Sequence, residues 1–294
     1  MLNDSDKWED VISNIARVNL ILPEAIIVGG TASALYAEHR TSNDTDFVVK
    51  DLKERFDEIL STLESVSGWK TNRIKPPVLI LGNFNGIETG IRQLKRTMPL
   101  ETADIEYKGQ KLTIPTEAEI LRIKGFLIIG RNATRDYIDF IALSYHLGEK
   151  KTNEALKDFD KLYPQENNAS ALKQLLVQLS NPLPYDLKET DLTKYKNLDK
   201  KWQDWNNVKK YCEIVAANIF LTQNQHKLDK SAGFQKYTDT YRRNGLEVAI
   251  KEMKRDKIDD AVIKFHYKEI FPDKTRAEIE KAIKEQDRGR GMER

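Results

Sequence analysis

Asp44 and Asp46 are separated by one residue and follow, thirteen residues on, an apolar run that ends in Gly29-Gly30. In a strand, side chains two apart leave the same face, so these two carboxylates point together with Cα atoms roughly 7 Å apart. Like charges so placed repel unless a cation lies between them or one takes up a proton. A divalent cation such as Mg²⁺, which prefers carboxylate oxygen, is the usual remedy. The glycines supply the other half: without a Cβ, Gly29 and Gly30 let backbone N–H groups and a helix start at Thr31 approach a phosphate. Either feature alone also occurs in proteins without a ligand. Their combination points to a phosphate site beside a metal site.

Such a site needs a third acid on a neighbouring strand, and the stretch GIETGIRQL offers Glu88, with Gly90 and Arg92 on the same strand face. The bland reading is a solvated edge strand, and Asp104 and Glu106 are substitutes for the acid. Lys124 has Ile120, Leu121, Leu127 and Ile128 three and four residues away on its helix, so its ammonium faces the buried side and needs an anion, unless its stem merely snorkels. Asp136 and Asp139 could answer it, as a structural ion pair or as a brace for the site, and the planar fork of Arg135 suits a phosphate. His39 and Arg40 fall in the loop above the aspartates, within reach of substrate phosphate or inert on the surface. His146, His226 and His266 share no metal-like spacing, and Cys212, set in YCEIVAANIF, reads as core. Trp202 and Trp205, beside several lysines, offer base stacking or plain helical packing.

Periodicity supplies the elements that must position these groups. Residues 4–20 read as an amphipathic helix, Ala25–Val28 as a buried strand, Thr31–Glu38 as a short helix, Thr45–Val49 as a strand, and Leu52–Val66 as a helix. Strands follow at Trp69–Ile74, Val78–Phe84, Ile87–Leu94 and Asp104–Tyr107, the last turning at Lys108-Gly109. After Pro115 the chain turns helical: Thr116 caps Glu117–Ile129 with Glu119 completing a capping box, and Arg135–Leu147 ends at Gly148. Charged helices continue, broken near 163–168 and 181–193, and QDRGRGMER reads as a frayed tail. The expected fold is α+β, a mixed β-sheet with flanking helices in residues 1–150 followed by an all-α helical domain in 151–294, with the boundary near 150–165.

Of the 294 residues, 39% are hydrophobic and 32% charged, as in a globular protein with solvated helix faces. No run is apolar enough to span a bilayer and the first twenty residues lack a secretion-signal pattern, so the expectation is a cytoplasmic protein with no membrane association. One cysteine excludes an internal disulfide and a cysteine-based metal cage. Residues 1–150 carry 19 basic and 22 acidic side chains, residues 151–294 carry 29 and 24, so the second half leans towards a polyanionic partner.

Gly29-Gly30 followed by Asp44-Thr45-Asp46-Phe47 resembles the signature of the DNA polymerase β-like nucleotidyltransferase superfamily. Thr45 departs from it, standing where an apolar residue is favoured. More narrowly, VGGTASALYAEHRTSNDTDF is similar to the opening motif of the AbiEii/AbiGii toxin family, whose His-Arg-x-Ser-x-Asp-x-Asp-Phe falls on His39, Arg40, Ser42, Asp44, Asp46 and Phe47. The later motifs fall on Lys124 in PTEAEILRIKG and on Arg135 and Asp136 in RNATRDYIDF, so that the likeness spans about residues 25–147. The resemblance implies a nucleotidyltransferase-type sheet and an NTP substrate with two Mg²⁺ ions held by Asp44, Asp46 and Glu88. It also implies Lys124 and Asp136 among the catalytic residues and Gly29, Gly30, Thr31, Arg40, Ser42 and Arg92 around the nucleotide. Transfer to an acceptor hydroxyl, in some members on RNA, and a role as a toxin with a cognate antitoxin protein belong to the same implication. A small-molecule or protein acceptor, or a module that holds NTP without turnover, are the alternatives.

Overall fold

The computed structural model describes residues 4–107, 109–229, 234–265 and 267–290. Five strands, β1 (Ile26–Val28), β2 (Asp44–Val49), β3 (Trp69–Lys75), β4 (Leu79–Phe84) and β5 (Ile87–Gln93), form a sheet in the order β1-β2-β5-β4-β3. Only β2 and β5 run parallel; the other neighbours are antiparallel. Strict alternation makes the sheet two-faced: Thr45, Phe47 and Val49 are buried while Asp44, Asp46 and Val48 between them are half-buried. The buried face takes α1 (Asp4–Ile21) through Val11, Ile12, Ile15 and Val18. Each such side chain taken out of water contributes about 1.5–3 kcal/mol, which fixes the sheet's register by holding its apolar set inward.

Thr45, the departure from the apolar pattern, is fully buried on that inner face. Its hydroxyl donates to Asn14 Oδ1 at 3.0 Å and lies 3.1 Å from the Thr89 hydroxyl on β5, while Asn14 Nδ2 donates to the Phe84 carbonyl at 3.0 Å. A buried hydroxyl is tolerable when so partnered. The substitution therefore leaves the outward face of β2 unchanged.

α2 (Gly29–Ala37) leaves β1 directly and α3 (Phe56–Glu64) follows β2; the expected helix from Leu52 starts late because residues 51–55 are turns. β6 (Thr102–Tyr107) and β7 (Gln110–Pro115) pair only with each other, in a separate two-stranded sheet, and Lys108 of their turn lies outside the described residues. α4 (Glu117–Arg131) begins at Thr116, whose side chain accepts from the Glu119 N–H. The reciprocal half of the expected capping box is missing. The Thr116 N–H instead donates to Glu101 O at 2.8 Å, and the Glu119 carboxylate pairs with Arg96 and Arg122. α5 (Thr134–Leu156) is broken by Gly148 at φ 76°, where the sequence predicted its end.

α6 (Phe159–Leu162), α7 (Ala171–Ser180) and the start of α8 (Trp205–Asp229) complete a first compact unit reaching to Ala216. The boundary expected near 150–165 falls inside this unit, because α7 packs on α4 through Leu175, which touches the Gly125 backbone face. The second unit begins at Ala217 and contains α9 (Gln235–Asn244), α10 (Leu246–Arg255), α11 (Asp260–Phe265), α12 (Tyr267–Ile270) and α13 (Arg276–Arg290). Its own core includes Tyr237, Ile250, Met253, Ile263, Phe271 and Ile279. The stretch expected to fray is helical as far as Arg290, and residues 291–294 lie outside the described residues.

Candidate active site

The parallel pairing of β2 and β5 sets Asp44 opposite Glu88, Asp46 opposite Gly90 and Val48 opposite Arg92. Residues in register across neighbouring strands leave the same face, so the open face carries Asp44, Asp46 and Glu88 together. Gly90 makes this packing possible: a Cβ there would stand 2.6 Å from Asp46 Oδ1. Arg92 Nε lies 3.2 Å from that oxygen, with both groups partly exposed, and Ser42 Oγ donates to Asp44 Oδ1 at 2.5 Å. Glu88 is exposed and has no hydrogen-bond or ionic partner among the described residues.

Three carboxylates thus share one face with one paired cation. The donor oxygens are hard and anionic, the kind that Mg²⁺ takes, and the surplus of negative charge suits a divalent ion, so the residues fit the metal chemically. They are not gathered around a common point. Among the described residues no three His, Cys, Asp or Glu side chains form a ready-made metal cluster. Asp46 and Asp44 spend an oxygen each on Arg92 and Ser42.

At the β1–α2 turn, Gly29 has φ 77° and lies beside Asp46, while Thr31 Oγ1 donates to the Asp44 carbonyl at 2.6 Å. Thr31 therefore ties the glycine turn to β2 rather than offering its hydroxyl outward. Arg40 is likewise turned inward. Its guanidinium packs on Gly30, where an added Cβ would press on Nη2, and its Nε and Nη2 donate to Asp139 at 2.8 and 2.9 Å.

Asp139 is the centre of a buried ionic knot that Lys124 joins at 2.6 Å and His39 Nε2 at 2.7 Å. Burial alone would raise the Asp139 pKa, but Arg40, Lys124 and the bonds from His39 and Arg40 outweigh it and hold the carboxyl well below its ordinary range. Desolvation pulls Arg40 down while Asp139 pulls it up, with a net rise. Lys124 is also 3.7 Å from Asp136, which receives Arg131 Nε at 2.5 Å and Nη2 at 2.7 Å. His39, Arg40, Lys124 and Asp136 are thus brought together behind the glycine turn, with Lys124, Asp136 and Asp139 wholly inside the protein. The anion the sequence demanded for Lys124 is supplied by the carboxylates of Asp136 and Asp139.

Arg131 was not singled out by its sequence context, a polar position at a helix end. It is the most exposed cation of the knot, with its side chain 38% exposed against 9% for Arg40, and it feels the charge of Asp46 as well as those of Asp136 and Asp139. A cleft of about 530 Å³ opens beside the acids, lined by Arg40, Ser42, Asp44 and Glu88 on one side and by Glu189, Asp191, Lys194 and Lys196 on the other. Its far wall is the irregular segment after α7, docked by Thr41 N–H to Lys196 O at 2.9 Å and Asp199 N–H to His39 O at 2.8 Å. Nothing periodic marks that segment in the sequence.

The remaining candidates lie elsewhere. Asp104 and Glu106 are on β6, in the other sheet, and Asp104 accepts from Thr113. Arg135 begins α5 as an exposed residue. His146 bonds Glu117; the His226 side chain and His266 lie outside the described residues. Cys212 is buried and its thiol pKa is raised by that burial. Trp202 packs edge-on to Tyr145 and Tyr211, and Trp205 to Tyr137, so these rings are packing groups. No helix among the described residues is long and apolar enough to cross a membrane.

No family model matches the chain. Among curated proteins it is similar to the heme uptake protein MmpL11 of Mycobacterium tuberculosis, 33% identical over 125 residues, which is 42% of this chain and 12% of that protein. The chain thus matches only about an eighth of that relative's length. Among solved structures it is similar to JHP933 from Helicobacter pylori, with TM-score 0.45 and 18% identity over 79% of this chain and 100% of that one. It is also similar to an antigenic nucleotidyltransferase-like protein from Paracoccidioides brasiliensis, with TM-score 0.38 and 19% identity over 58% of this chain and 94% of that one.

Proposed function

We propose that the β2–β5 face binds a nucleoside triphosphate with Mg²⁺ and transfers its nucleotide to an acceptor hydroxyl. The observation that carries this reading is the parallel register that sets Glu88 against Asp44 beside Asp46, with a glycine turn adjoining. Asp44, Asp46 and Glu88 would hold two Mg²⁺ ions. When bound, such ions lower the pKa of an attacking hydroxyl and neutralise charge on the triphosphate and the departing pyrophosphate. The Gly29-Gly30 turn lets the phosphates approach the backbone. Arg92, paired with Asp46, and Arg131, partly exposed and within the field of Asp46, would steady the phosphate oxygens, Arg92 by exchanging Asp46 for the nucleotide. Ser42 orients Asp44. Lys124, Asp136 and Asp139 act at one remove by fixing the loop that carries Arg40 and Ser42 and the helix end that carries Arg131.

RNA is the acceptor class in this reading, and a toxin role in the cytoplasm with an antitoxin partner goes with it through the family resemblance. The cleft, whose far wall sets Glu189 and Asp191 beside Lys194 and Lys196, has room for a second reading in which a small hydroxyl compound is the acceptor. Incubation with α-labelled NTPs and Mg²⁺, beside an RNA pool, a lysate and small acceptors, should place label on RNA and release pyrophosphate. Label on a small acceptor would select the second reading, and NTP binding without pyrophosphate release would end both. Growth arrest on induced expression of the wild type, relieved by Asp46→Ala, tests the toxin role; equal growth of the two strains removes it.

A further inference from the structure

The open sheet face continues past the acids. Across β2, β5, β4 and β3 the register gives one row of Asp44, Glu88, Asn83 and Lys70, a second of Asp46, Gly90, Leu81 and Arg73, and a third of Val48, Arg92, Leu79 and Lys75. Every row ends in a cation on β3. Lys70, Arg73 and Lys75 are exposed, and none has an ionic or hydrogen-bond partner among the described residues. Between the acids and the cations Leu79 and Leu81 are half-buried, which leaves an apolar step on the surface beside Asn83.

The bulge between Thr71 and Arg73 shapes this edge. By inserting one residue it brings Arg73 and Lys75 to the same face as Lys70, while Trp69 covers Gly82 on the inner side. Lysines on an edge strand also discourage pairing with another sheet. That role does not require three cations on one face, in register with the carboxylate strands. Three strand spacings of about 4.8 Å separate β2 from β3 and two separate β5 from β3, so the cations begin roughly 14 Å from Asp44 and Asp46 and roughly 10 Å from Glu88.

We infer that this basic edge is a docking track for a single-stranded nucleic acid whose end reaches the acids, with Lys70, Arg73 and Lys75 on its phosphates and Leu79 and Leu81 under its bases. The inference rests on the nucleotidyl-transfer reading for what happens at the track's end, but the track can be tested without it. Charge complementarity favours a polyanion, and the apolar step suits the unstacked bases of a single strand.

Binding of a short labelled oligouridylate to the full chain, followed by anisotropy across a salt series, reads the track directly. Each phosphate contact on a single strand contributes about 0.7 to the slope of log K against log salt. Lys70→Gln/Arg73→Gln/Lys75→Gln should therefore flatten the slope by about 2 and weaken binding at least ~10-fold at low salt. The thermal stabilisation by Mg²⁺ and a non-hydrolysable NTP should stay as in the wild type. An unchanged slope in the triple variant, no oligouridylate binding by the wild type, or equally tight binding of a polyglutamate peptide of matched charge would overturn the track. If the wild type binds oligouridylate through these residues but not Mg²⁺·NTP, the track stands and the nucleotidyl-transfer reading fails.

Discussion

Two acidic groups in the first unit differ in burial and in pairing. Asp136 and Asp139 are fully buried, and each is met by arginine and lysine at hydrogen-bond or ion-pair distance. Asp44, Asp46 and Glu88 are half-buried or exposed and share one paired arginine. Burying charge is tolerable only when the ions are fully paired, so the first group is spent on holding the protein together. The second keeps an uncompensated charge at the surface, where an added cation would be welcome. Of two carboxylate clusters, the one that is less well satisfied is the candidate for chemistry.

Breaking the contrast at the open face should have the largest effect on activity. Asp46→Asn should lower Mg²⁺-dependent nucleotide transfer by about 10³-fold, roughly 4 kcal/mol of transition-state stabilisation, with urea unfolding unchanged or slightly more stable because a repulsion is relieved. Glu88→Gln tests the third ligand in the same assay. Wild-type rates in both variants would remove the open face from the mechanism.

Breaking it at the buried knot should reverse the pattern. Asp139→Asn leaves Lys124 and Arg40 without their main counter-charge and should cost about 3–5 kcal/mol in urea unfolding. The pH dependence has a definite sign: the folded Asp139 carboxyl is held below its ordinary 3.8, so its contribution is complete above that pH and is lost as pH falls further. Acid unfolding of the wild type should therefore steepen below about pH 4, and Asp139→Asn should flatten that limb. Superimposable acid limbs for the two proteins would deny the knot its role.

Arg131 joins the two groups, and Arg131→Gln sharpens the comparison. About a tenfold rise in KM for NTP is expected, equivalent to ~1.4 kcal/mol, with stability falling by about 1.5–3 kcal/mol as Asp136 loses two charge-assisted bonds. Arg131→Lys should recover more of the stability than of the KM, since an ammonium cannot reproduce the fork. A KM that tracks stability alone would make Arg131 purely structural. The smallest effect belongs to Ser42→Ala, which frees one oxygen of Asp44 and should cost about 1 kcal/mol, roughly fivefold in rate.

Much of the open face could be read from the chain because strand periodicity is local: the alternation in Asp44–Val49 and the spacing of Glu88, Gly90 and Arg92 fix which residues share a face. The buried position of Lys124 was legible for the same reason, from its apolar helix neighbours. What could not be read is what lies opposite. The inward turn of His39 and Arg40 depends on Asp139, about a hundred residues away in sequence. The far wall at Glu189–Lys196 has no period to betray it. That the first unit runs on past residue 165 reflects α7 packing on α4, a tertiary contact that a loop rich in proline and asparagine disguised as a linker.

Calorimetric titration of a non-hydrolysable NTP into the wild-type chain, with Mg²⁺ and with EDTA in its place, addresses the surplus charge of the open face most directly. The expected result is binding that needs Mg²⁺ and is lost in Asp44→Asn and Asp46→Asn, while Asp139→Asn, measured where it remains folded, still binds. Magnesium-independent binding that survives both open-face substitutions would contradict it.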